Sequence, residues 1–170
     1  VNGPKDDAST FAIAQNLRGE VSGLNAVKTA LANGEATVNV AIDAGTSVAD
    51  LLTEMKAKVV QANQAGLDAS SRTALNNDFT ALRNQVQDIV NSAEFNGINL
   101  VKSGATATTV LSSVDGSTIA VSAQALDATT LGIATLDLTS SAGAATALTA
   151  IDTAITTTSN KLAALGSVSK

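Results

Sequence analysis

The stretch AATALTAIDTAITTTSNKLAAL, residues 144–165, decides the fold. Ala144, Leu148, Ile151, Ile155, Thr158, Leu162 and Leu165 step by four, three, four, three, four and three, the spacing of one face of an α-helix. Most helical stability comes from burying such a face against something else. The segments just before this one carry a different period, so its partners must lie far away, near the start of the chain. Both ends of the polypeptide are then expected to run side by side.

The start offers such partners. Pro4, with Asp6 and Asp7 behind it, suits a first helical turn, where proline is preorganised and carboxylates meet the positive end of the helix dipole. Leu17, Leu24, Leu31 and Val38 recur every seven residues, flanked by Ile13, Val21 and Val27. Asn33-Gly34 is expected to end or bend this helix, leaving 36–47 irregular or briefly extended. Ser47 and Asp50 resemble a capping box that starts a second helix carrying Val48, Leu52, Met55, Val59 and Ala62, with Gly66 as its stop. A third carries Leu75, Phe79, Leu82, Val86 and Ile89. The helices are thus expected at about 4–33, 46–65, 69–92 and 141–165, and their stripes, Leu52 and Leu82 among them, are expected to be core.

Between them the period changes to two. Asn96-Gly97 inside SAEFNGINLV (92–101) signals a tight turn, and Asp115-Gly116 between β-branched runs signals a hairpin, giving a β-hairpin region at about 94–124. The expected fold is mainly α: an elongated antiparallel helical bundle, a rod over 1–170, with a small β-hairpin region at one end.

Composition narrows function by exclusion. The 170 residues include no Cys, His, Trp or Tyr and only three Phe. An aromatic ring buries roughly 150–250 Å², so a chain this short of rings must bury small aliphatic surface along a length. Without Cys or His, thiol nucleophiles, imidazole bases, disulfides and the usual zinc sites drop out. The net charge of −5 with no basic cluster argues against nucleic acid and anionic membranes. Asp6 and Asp7, about 100° apart on a helix, do not converge as an acid/base pair. Glu54 and Lys58, at i and i+4, read as a weak surface ion pair. No catalytic residue, cofactor site or metal site is expected. What remains is a molecule that acts through surfaces.

Four strings, taken together and in order, carry a resemblance: NGPKDDASTFAIAQNLRGEVSGLNAVKTALANGEATVNVA, MKAKVVQA, DIVNSAEFNGINLV and ALTAIDTAITTTSNKLAALGS. They resemble bacterial flagellins, of the alphaproteobacterial kind. The resemblance implies a D1-like rod built from both ends of the chain, with the segment Phe95, Asn96, Gly97 as the signature turn into β structure. It implies a structural subunit of the flagellar filament, self-assembling with other flagellin subunits. Such a subunit is extracellular, exported without a cleaved signal peptide, and served by an export chaperone and by junction and cap proteins. Flagellins carry further helical segments at both ends, the D0 segments; the chain begins and ends in mid-pattern, so a D1 core fragment that does not polymerise normally is expected, without variable outer domains. A hook-filament junction protein of the same superfamily and a soluble helical adaptor module are the rival readings. In receptor-activating flagellins an Arg and a Leu stand where this chain has Glu54 and Lys58, and a Glu where it has Asp78. The resemblance therefore implies weak or no recognition by Toll-like receptor 5.

Overall fold

The fold is taken from a computed structural model, which describes residues 8–170. The expected opening turn at Pro4, Asp6 and Asp7 lies outside the described residues. From Ala8 to Ala62 the chain forms one unbroken helix, α1, of 55 residues, about 80 Å long at 1.5 Å per residue. The expected break at 34–45 does not occur, and Ser47 and Asp50 sit mid-helix rather than capping a second one. Two physical reasons explain this. The seven-residue stripe runs on in phase through Leu31, Val38, Gly45, Leu52 and Val59, so an uninterrupted helix keeps the buried part, from Val38 onward, on a single face. Gly34 costs the helix about 1 kcal/mol of propensity, but its bare Cα lets the strand Thr108–Leu111 (β1) approach. A Cβ there would lie 2.6 Å from a Val110 methyl.

Asn63 ends α1 by donating its side-chain amide to Val59 O at 2.8 Å and to Ala144 O at 2.9 Å, and Arg72 donates to Ala62 O at 2.8 Å. Gly66, at φ 77°, turns the chain in the left-handed region where glycine carries no side-chain penalty. Helix α2 follows at Ala69–Ser92 and returns antiparallel beside α1. Strands β1 (Thr108–Leu111) and β2 (Thr118–Val121) form an antiparallel hairpin with Thr108 opposite Val121. The hairpin lies against α1, Val110 on Gly34 and Val114 on Gly23.

Helix α3, Ser141–Val168, is capped by Ser140 Oγ, which accepts from the Gly143 amide. It runs back along α1, as Asn63 to Ala144, Lys56 to Asp152 at 2.6 Å and Gly45 beside Leu162 establish. The buried residues here are largely small, with Ala41, Ala44 and Gly45 on α1 and Ala144, Ala147 and Ala154 on α3. Close contact of α3 is with α1 and hardly at all with α2, so α1 is the axis against which the other helices lean. Leu126, Leu131, Ile133 and Leu138 of the connector complete the core.

Burial is not uniform along α1. Val38, Leu52, Met55 and Val59 are fully enclosed, and Leu82 of α2 is partly so, yet Ile13, Leu17, Val21 and Leu24 are each more than half exposed. The stripe from Ile13 to Leu24 was expected to be core; it is bare because α2 and α3 reach only the second half of α1, whereas Val27, beside the hairpin, is buried.

Candidate assembly surface

The end of α2 turns into β structure through a small, fully determined joint. Phe95 and Ile98 exchange both backbone hydrogen bonds, each at 3.0 Å, across Asn96-Gly97. Asn96 has φ 52° and Gly97 φ 79°, positive at both central positions as a type I′ turn requires. The sequence named this turn but missed its anchor. Asn99 is buried, and its amide donates to Val90 O at 2.8 Å while its carbonyl accepts from the Val101 and Lys102 amides, both at 2.9 Å. One side chain thereby satisfies a helix-end carbonyl and two loop amides that burial would otherwise leave costly.

A second set of polar groups escaped the sequence reading. Asn76, Arg83 and Gln87 lie seven and four residues apart on α2, and all reach the backbone of the connector after β2. Asn76 accepts from the Leu138 amide at 2.9 Å, Arg83 donates to Leu136 O at 3.0 Å and Ile133 O at 3.3 Å, and Gln87 accepts from the Ala128 amide at 3.2 Å. From α3, Lys161 donates to Ala125 O at 2.5 Å. The Arg83 guanidinium also stands 5.8 Å from the centre of the Phe79 ring. The hydroxyl and amide of Thr139, with a smaller contribution from the charge of Arg83, hold the Asp137 carboxyl below its ordinary range.

Glu54, Lys58 and Asp78 do come together, in a shallow open depression between α1 and α2 that Leu82 and Gln85 also line. Lys58 pairs with Asp78 at 3.0 Å rather than with Glu54, because α2 brings a carboxylate within reach. Exposed pairs of this kind contribute about 0–1 kcal/mol. This depression lies about 20 Å along α2 from the Asn96-Gly97 turn at 1.5 Å per residue, so the two candidate groups form separate sites. Among the described residues no cluster of three His, Cys, Asp or Glu side chains could hold a metal ion, and no helix is long and apolar enough to cross a membrane. The lowered carboxyl of Asp115, at about 2, belongs to the hairpin loop, where the Ser113 hydroxyl and the Ser117 amide and hydroxyl donate to it.

The described residues form an antiparallel rod with a hairpin on its flank and a bare apolar stripe, Ile13 to Leu24, on its longest helix. Residues 1–106 match the bacterial flagellin N-terminal helical region. The chain is 37% identical to flagellin FljK of Caulobacter vibrioides over 166 residues, covering 97% of this chain and 61% of that protein. It is 38% identical to flagellin FljM of the same organism over 170 residues, covering 99% and 62%. The fold is similar to the crystal structure of Bacillus cereus flagellin, with a TM-score of 0.72 at 24% identity, over 81% of this chain and 80% of that one. The chain belongs to the bacterial flagellin family. It spans about three-fifths of the length of the Caulobacter relatives.

Proposed function

We propose that this chain is the rod segment of a flagellar filament subunit, and that it acts by repeated packing against copies of itself in an extracellular polymer for motility. Family membership supports this, and the observation that carries it is the bare stripe Ile13, Leu17, Val21 and Leu24. Exposed apolar rows of this kind mark interaction surfaces. In a helical polymer modest contacts gain strength from multiplicity.

Export without a cleaved signal peptide, an export chaperone, and junction and cap proteins belong to the same reading. Weak or absent recognition by Toll-like receptor 5 is part of it too. In support, Lys58 is already engaged by Asp78 on the neighbouring helix, and Glu54 adds a further carboxylate to the same depression. A charged side chain in place of an apolar anchor removes a packing contact and demands desolvation on binding.

Electron microscopy of the natural protein carrying this sequence tests the filament reading. Long filaments, lost on Leu17→Glu with Leu24→Glu, support it. A short-lived oligomer of few copies would favour the hook-filament junction reading, and tight one-to-one peptide binding without polymerisation would favour an adaptor. Reporter cells bearing the receptor test the other claim, and potent activation would overturn it.

A further inference from the structure

The sequence contains Asn-Gly at 2–3, 33–34 and 96–97, and the fold treats the two described pairs in opposite ways. Asn33 and Gly34 lie inside α1. There the Gly34 amide is a helix-ladder donor, and the Asn33 carbonyl also accepts from the Thr37 hydroxyl at 2.9 Å. Asn96 and Gly97 form the exposed centre of the two-residue turn. The reciprocal bonds of that turn belong to Phe95 and Ile98. Among the described residues nothing accepts from the Gly97 amide, and nothing holds the Asn96 carboxamide.

From this contrast we infer that Asn96 is a site of spontaneous, non-enzymatic modification in the folded protein, converting to aspartate and isoaspartate through a cyclic imide. Solvent hydroxide removes the Gly97 amide proton, and the resulting nitrogen attacks Cγ of Asn96. The new C–N bond closes a five-membered ring, and ammonia leaves. Water then opens either carbonyl–nitrogen bond of the ring, giving aspartate or isoaspartate. Glycine at the next position offers no side chain to obstruct the closure. A helical amide cannot follow this route without giving up its ladder hydrogen bond and its helical dihedrals, so Asn33 is protected.

The product is consequential because of its place. Isoaspartate inserts an extra backbone methylene between Phe95 and Ile98, whose two mutual bonds fix the turn, and it adds a negative charge. The altered turn feeds directly into Asn99, whose side chain ties the end of α2 to Val101 and Lys102. Conversion therefore loosens the joint between the helical and β parts of the rod as the protein ages.

Incubation of the folded chain at mildly alkaline pH, followed by trypsin digestion, tests this, since Asn33 falls in peptide 29–56 and Asn96 in peptide 84–102. Tandem mass spectrometry and isoaspartyl methyltransferase labelling are the readouts. The expected result is conversion at Asn96 many-fold faster than at Asn33 in the folded chain, with the two rates converging in urea. Equal rates in the folded chain, or protection of Asn96 by the same factor as Asn33, would overturn the inference. Asn96→Gly keeps a turn compatible with positive φ and is expected to remove most of the isoaspartate from peptide 84–102, which also holds Asn84, Asn91 and Asn99; undiminished labelling there would refute the assignment to Asn96.

Discussion

Thr158 supplies the sharpest test of how α3 seats on α1. It occupies a core position of the α3 stripe, is fully buried, and its hydroxyl has no hydrogen-bond partner. Other helical threonines, among them Thr29, Thr37, Thr46, Thr53 and Thr153, turn their hydroxyls back to the carbonyl four residues earlier. Thr158 instead leaves its oxygen in the seam. An unsatisfied buried polar atom costs about 1–3 kcal/mol. Thr158→Val replaces that oxygen with a methyl of nearly equal volume and retains the β-branch, so helix propensity and side-chain entropy scarcely change. The expected outcome is stabilisation by about 1–2 kcal/mol, seen as a higher urea midpoint at unchanged slope. The corresponding rise in melting temperature is about 2–6 °C for a chain of this size. Thr158→Ser, which keeps the oxygen and deletes the methyl, is expected to destabilise. If Thr158→Val proves neutral or destabilising while Thr158→Ser is tolerated, the hydroxyl has a partner in the folded protein and the reasoning fails.

Other perturbations test the remaining joints. Gly34→Ala gains helix propensity but drives a Cβ into the stiff, β-branched Val110, and the overpacking of about 1–3 kcal/mol is expected to undock the hairpin, visible as faster hydrogen exchange in β1 and β2. Asn99→Ala removes three short hydrogen bonds at a buried joint, and a loss of about 2–3 kcal/mol on chemical denaturation is expected from the unpaired backbone groups. For Asp115 the folded carboxyl lies below its ordinary 3.8, at about 2. The carboxylate's contribution to the loop is therefore complete above pH 3.8 and is lost as pH falls through about 2. Carboxyl NMR should show that midpoint, and Asp115→Asn should leave global unfolding unchanged because the group is exposed.

The fold was legible wherever one periodic signal was strong, and the failures have definite causes. The seven-residue stripe from Leu17 to Val59 keeps its phase across Asn33-Gly34, and that continuity outweighs the local turn propensity which suggested a break. Propensity is worth about 1 kcal/mol at one glycine, whereas each enclosed Val or Leu contributes about 1.5–3. Periodicity could not distinguish Leu24 from Leu52, since both satisfy the same pattern; only the reach of α2 and α3 along α1 separates the bare residue from the enclosed one. The turn at Asn96-Gly97 was readable because its chemistry is local. Asn76, Arg83 and Gln87 were not, because their partners are backbone atoms more than forty residues away, chosen by the path of the connector.

An uninterrupted α1 also has a mechanical meaning. Its bare stripe from Ile13 to Leu24 and its clad second half share one hydrogen-bond ladder with no proline, glycine break or loop to act as a joint. A torque applied near Ile13 is therefore transmitted to Val59, and α1 serves as an axle, with the hairpin, α2 and α3 as collars set at different heights along its shaft.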